Sequence, residues 1–182
     1  MKIFIAIEPS EHVKSKIFHE FENLQKRNWF KGKFVEKQNI HLTLKFIGDV
    51  SQEKVLEIQK RLKEIKFEKF NCEVGKAGVF DNEKFIKVIW VGLVSDKLSK
   101  LQKQIAEKFP EFSSDNKGFN SHITTARVNS VVHDKDLMDA LKKISFKNLN
   151  FDVEEFVLMK SEISKQKGEG PKYKVLEKFK AS

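Results

Sequence analysis

Several residue types are scarce in this 182-residue chain, and each scarcity excludes something. The lone Cys72 cannot close an internal disulfide and is expected to be a small buried side chain, which makes the cytoplasm the default location. The longest stretch free of Asp, Glu, Lys and Arg is nine residues, Gly118 to Ala126, far short of the roughly 20 apolar residues of a membrane-spanning helix. No membrane partner is expected. The opening MKIFIAIEPSEH has one basic residue and a very short apolar run, so it reads as a first strand and not as a secretory signal. There is no Gly-rich phosphate loop, no H-E-x-x-H and no Cys-His cluster, so neither ATP, nor a metal, nor any other cofactor is expected.

What is present fits one domain over residues 1–182, with 40% hydrophobic and 34% charged residues. The balance of 35 basic against 26 acidic residues gives a net charge of +9, which favours polyanionic partners, phosphate esters first among them. Only Arg27, Arg61 and Arg127 are arginines, and Lys interleaved with Glu also serves as a solubilising surface.

The order of elements is α+β. Ile3, Ile5 and Ile7 alternate as a strand, after which Pro9-Ser10 opens a helix with Val13, Ile17, Phe21 and Leu24 on one face. His41 to Phe46 reads as a strand, and Ser51 caps a helix carrying Val55, Ile58, Leu62 and Ile65. Strands are expected at Asn71 to Phe80 and Phe85 to Leu93 around an Asp81-Asn82 turn. A helix from Ser95 is ended by Pro110, and a polar loop leads to a strand at His122 to Val128. A short helix near Asp134 to Ile144, one long strand within Phe151 to Ser161, a Gly168-Gly170-Pro171 turn and a strand from Tyr173 to Phe179 complete the chain. His12 and His19 read as surface residues of the first helix, and His133 as a helix start.

Two hexads carry the chemistry: His41-Leu42-Thr43-Leu44-Lys45-Phe46 and His122-Ile123-Thr124-Thr125-Ala126-Arg127. All three threonines of the chain fall inside them, although the chain has five histidines. Chance predicts about 0.08 copies of His-x-Thr in such a composition, so two copies are a signal. On a strand, the His and the Thr two residues later share a face while Leu42, Leu44 and Ile123 take the other. Two such strands flanking a groove bring two imidazoles and two hydroxyls together. That set can protonate one side of a phosphate, accept a proton on the other and hydrogen-bond its free oxygens. Arg127 has the guanidinium fork suited to phosphate, yet it lies five residues after His122, an odd offset that points it to the opposite face unless the strand bulges.

With these motifs the sequence resembles the 2H phosphoesterases, in particular the branch called RNA 2′,3′-cyclic phosphodiesterase or 2′-5′ RNA ligase. Supporting stretches are Ile3 to Ile7, Asn39-Ile40, Lys45 to Gly48, Gly78 to Phe80, Ile89 to Leu93, Phe156 to Glu162 and Tyr173 to Glu177. The resemblance implies a bilobal, pseudo-twofold α+β fold, with two antiparallel sheets lining a central cleft and helices outside. It implies an enzyme that hydrolyses a terminal 2′,3′-cyclic phosphate of RNA to a 2′-phosphate without metal, with reversible ATP-independent 2′-5′ joining as a side activity. His41 would be the proton donor and His122 the proton acceptor; Thr43, Thr124 and Arg127 would bind the phosphate. Substrates would be RNA ends, tRNA halves or small cyclic nucleotides, handled by a monomer. The sequence departs from the family pattern at Thr125, where an apolar residue is commoner, at Asp81, where Pro is frequent, and at Lys87, near a frequent Arg. A module that grips phosphorylated RNA ends without turnover is the alternative reading.

Overall fold

The computed structural model describes residues 1–82, 85–112, 118–162 and 170–182. Among these residues the strands are β1 (Lys2–Ile7), β2 (Phe30–Phe34), β3 (Leu42–Asp49), β4 (Phe70–Asn82), β5 (Phe85–Val94), β6 (His122–Val131), β7 (Asn150–Val153), β8 (Glu155–Glu162) and β9 (Lys172–Lys180). The helices are α1 (Glu11–Gln25), α2 (Gln52–Leu62), α3 (Asp96–Lys108) and α4 (Asp134–Lys143). All strand pairings are antiparallel, in the order β7-β4-β5-β6-β3-β1-β8-β9, with β2 beside β6.

The α+β expectation holds, and the two expected sheets are two halves of one curled sheet. They join at a single ladder pair, Leu42 opposite Ile123. Each half repeats one order, β1–α1–β3–α2 and β5–α3–β6–α4, with β3 and β6 innermost. The pseudo-twofold therefore passes through the join.

All four helices lie on one side because each carries one apolar stripe. Val13, Ile17 and Phe21 of α1, Val55, Ile58 and Leu62 of α2, Leu98, Leu101 and Ile105 of α3, and Leu137 and Leu141 of α4 enter one core with the facing strand residues. Burying each such side chain contributes about 1.5–3 kcal/mol. Ser10 and Ser51 cap α1 and α2 by accepting from the amides of Val13 and Lys54. Strand β1 is buried on both faces: Ile3, Ile5 and Ile7 meet the helices, while Phe4 and Ala6 form a second apolar cluster with Val157 and Met159. That second cluster floors the face the helices leave uncovered.

Two expectations need correction, and one strand is additional to them. The long strand within Phe151 to Ser161 is two strands, because the chain leaves the β4 edge at Glu154 and crosses to pair with β1 in the other half. Asp81-Asn82 is no turn: β4 runs through both residues, Asp81 taking a φ of 81° where the ladder with β5 slips register. Residues 83 and 84, and Gly168 of the expected Gly168-Gly170-Pro171 turn, lie outside the described residues. Strand β2 was not expected at all. Cys72 is fully buried, and its thiol is pushed up to about 12 by burial, as a structural cysteine requires.

Candidate active site

The join of the two halves is also where the motifs meet. Leu42 and Ile123 directly follow His41 and His122, so the register of that one pair aligns His41 with Thr124 and His122 with Thr43. Leu42 and Ile123 are fully buried toward the helices, which turns all four polar residues to the open face. Sequence alternation predicted this grouping, and the structure brings it together.

Each imidazole is fixed by its own chain. His41 Nδ1 lies 2.7 Å from the Asn39 carbonyl, and His122 Nδ1 lies 2.8 Å from the Asn120 carbonyl. A carbonyl only accepts, so Nδ1–H donates in both rings and Nε2 is the atom presented to the cleft. The halves then differ. His41 Nε2 sits 3.2 Å from Thr43 Oγ1, whereas among the described residues His122 makes no matching bond with Thr124.

Burial pushes both imidazoles below the ordinary histidine value, with the backbone carbonyls opposing it. For His41 the nearby Glu8 raises it, while Lys14 and His122 lower it further. For His122 the additional lowering comes from Arg127. Arg127 also lowers Tyr173 on β9, although burial leaves that phenol raised on balance. The guanidinium thus acts on groups of both halves.

The odd offset of Arg127 is resolved by a bulge. Opposite β5, Trp90 pairs with Thr124 and Ile89 with Ala126, which leaves Thr125 as the extra residue. Thr125 is buried, and its hydroxyl donates to the Ile89 carbonyl at 3.1 Å. The residue after Ala126 therefore returns to the open face. Thr125, where the sequence departs from the family pattern, fills this slot. Strand β3 has the same device: Ala6 pairs with Thr43 and Ile5 with Lys45, leaving Leu44 extra. Lys45 consequently turns inward, donating to the Phe112 carbonyl at 2.9 Å, and Phe46 turns outward with 62% of its surface exposed.

Aromatic rings frame both histidines, a feature that sequence reading missed. Phe4 and Tyr173 lie 5.0 and 5.1 Å from His41, centroid to centroid, and Phe46 lies 6.2 Å from Phe4. On the other side Phe80 is 4.6 Å and Trp90 is 6.4 Å from His122. The signal was present: Phe46 follows His41 by five residues, as Arg127 follows His122. His12 and His19 are exposed on α1, and His133 stands at the start of α4, as expected. Among the described residues no three His, Cys, Asp or Glu side chains are grouped to hold a metal ion, and no helix is long and apolar enough to cross a membrane.

Comparison with known proteins agrees with this geometry. Residues 7–90 match the family described as LigT like Phosphoesterase. A protein of Methanocaldococcus jannaschii named RNA 2′,3′-cyclic phosphodiesterase is 30% identical over 181 residues, covering 98% of this chain and 100% of that one. A crystal structure of a Thermus thermophilus protein superposes with a TM-score of 0.75 at 25% identity, over 99% of this chain and 97% of the other. The crystal structure of E. coli LigT complexed with 3′-AMP shares the fold at a TM-score of 0.76 and 22% identity, over 100% and 98% of the two chains. The fold is that of a phosphoesterase with paired histidine motifs. The chain belongs to the LigT-like phosphoesterases of the 2H superfamily.

Proposed function

We propose that this phosphoesterase hydrolyses the terminal 2′,3′-cyclic phosphate of RNA to a 2′-phosphate by two-histidine acid-base catalysis. The observation that carries the reading is the pair of Nδ1-anchored imidazoles, one from each half, at a join only one ladder pair wide. In-line displacement needs a base and an acid on opposite sides of phosphorus, and a cleft between two pseudo-equivalent strands meets that need. Because each half supplies one histidine, residues 1–182 act as one unit. The name of the Methanocaldococcus relative and the 3′-AMP bound by E. coli LigT support a ribonucleotide substrate.

His122 activates water and His41 protonates the departing 3′-oxygen. The open Nε2 of His122 suits a base, and the Nε2 of His41, already beside the Thr43 hydroxyl, suits a proton donor held in place. Thr43 and Thr124 hydrogen-bond the non-bridging oxygens, and Arg127 balances their charge. These groups supply the charge stabilisation that a metal provides elsewhere, so the reaction is metal-independent. Because water and a 5′-hydroxyl can attack the same cyclic phosphate, weak ATP-independent 2′-5′ joining accompanies hydrolysis.

The test is incubation of the pure protein, with and without EDTA, with an oligoribonucleotide ending in a 2′,3′-cyclic phosphate. Conversion to the 2′-phosphate at equal rates is expected. Loss of turnover in EDTA that one divalent metal restores overturns the metal-free mechanism. Tight binding without conversion over hours overturns hydrolysis and leaves a binding module.

A further inference from the structure

Strand β2 continues the line of the join. On the same side of β6, β3 pairs at Ile123 and β2 pairs from Ala126 to Val131. The alternation of β2 persists past a bulge in β6, where Asn129 is the extra residue between Ser130 and Val128. Phe30 and Phe34 enter the core, opposite Val131 and Ala126, so Lys31 and Lys33 take the other face, the one that carries His122, Thr124 and Arg127. Lys33 stands directly opposite Arg127, and Lys31 opposite Ser130, about 7 Å further along the strand.

The strand has no freedom to move this pair away. A Cβ at Gly32 would lie 2.2 Å from the Arg127 carbonyl oxygen, so the glycine lets β2 approach β6 more closely than any other residue allows. Both lysines are exposed. Ion pairs engage Lys14, Lys37, Lys54 and Lys69, yet among the described residues none engages Lys31 or Lys33. A cationic row therefore starts at Arg127 and runs away from the two histidines, and no carboxylate of the described residues forms an ion pair with it.

We infer that Lys31 and Lys33 form a docking strip for the single-stranded phosphodiester backbone that precedes the reacting RNA end. This rests on the reading of the cleft as a site for RNA cyclic-phosphate ends, and it names what distinguishes a polynucleotide from a small cyclic nucleotide there. A mononucleotide fills the space between the histidines and reaches no further. A chain leaving past Arg127 lays successive phosphates over Lys33 and Lys31, each contact releasing counterions.

The test measures binding of a 5′-fluorescein decaribonucleotide ending in a 2′-phosphate, which cannot turn over, across a salt series. For the double variant Lys31→Ala/Lys33→Ala, the slope of log affinity against log salt should shrink by about 1.4, and affinity in 0.1 M salt should fall about ten- to thirtyfold. Lys31→Arg/Lys33→Arg should restore the wild-type slope. The loss should be much smaller for a nucleoside 2′-monophosphate. An unchanged slope overturns the proposal, and so does an equal loss in Lys142→Ala/Lys143→Ala, which removes the same charge from exposed positions of α4. Turnover of the cyclic-ended decamer is read separately: if the wild type converts none, hydrolysis falls, while the salt slope still decides the strip.

Discussion

His41 and His122 are held by the same bond, each Nδ1 within 2.8 Å of the carbonyl two residues earlier in its chain. This common anchor makes the two rings alike in tautomer and leaves their surroundings to separate them. Both are pushed below the ordinary value of 6.5, first by burial. One ring must be neutral and the other protonated at once, so the bell-shaped profile of kcat/KM should peak below pH 6.5. Bound phosphate stabilises imidazolium, which should move the kcat profile upward relative to that of kcat/KM. Because Arg127 lowers His122, Arg127→Ala should shift one limb to higher pH. A plateau through pH 8 in the wild type would contradict these assignments.

Arg127→Lys keeps the charge and loses the fork. With the guanidinium on the open face opposite Lys33, a lysine in its place offers one point donor where two parallel donors stood. Turnover of a cyclic-ended oligonucleotide should fall by at least about tenfold, with the melting temperature unchanged. A wild-type rate would remove Arg127 from the site.

How far the sequence foretold this site depends on which force set each position. The His-Thr pairs were legible because period-2 alternation is a property of any strand. Arg127 was named by the family resemblance, but alternation alone did not place it, because its face depends on the bulge at Thr125, where a buried hydroxyl finds the Ile89 carbonyl in a neighbouring strand. Strand β2 was missed for a related reason: FKGKF offers two apolar residues around a glycine, and only its pairing with β6 makes it a strand. The break at Glu154 is hard to read for a similar reason: alternating β7 runs, with one residue between, into the continuous apolar run Phe156 to Met159 of β8, and only the partner strand each finds separates them. The helices, by contrast, advertised themselves through apolar spacing, and α1 and α2 also through their serine caps.

Gly78 should tolerate no side chain. A Cβ there would lie 2.5 Å from the Trp90 ring, which packs 5.3 Å from Phe80 and borders His122. Gly78→Ala must displace the indole, at a cost of about 1–3 kcal/mol for overpacking, or about 2–4 °C in melting temperature per kcal/mol. Tryptophan emission should shift, and kcat/KM should fall as Phe80 and His122 are disturbed. Unchanged emission and melting would mean that the ring yields freely.

The roles of the two imidazoles can be separated chemically. Replacing the 3′-bridging oxygen of the cyclic phosphate by sulfur makes a leaving group that departs as a thiolate and needs no proton. On the natural substrate, His41→Ala and His122→Ala should each lose about 10²- to 10⁴-fold in rate. On the sulfur substrate His41→Ala should recover much of that loss, because the step it served is no longer required, whereas His122→Ala still lacks the base that activates water. Recovery in His122→Ala alone reverses the assignment, which the pseudo-twofold leaves structurally conceivable because both rings share one anchor. Rates like the wild type in both variants on the natural substrate would end the acid-base mechanism.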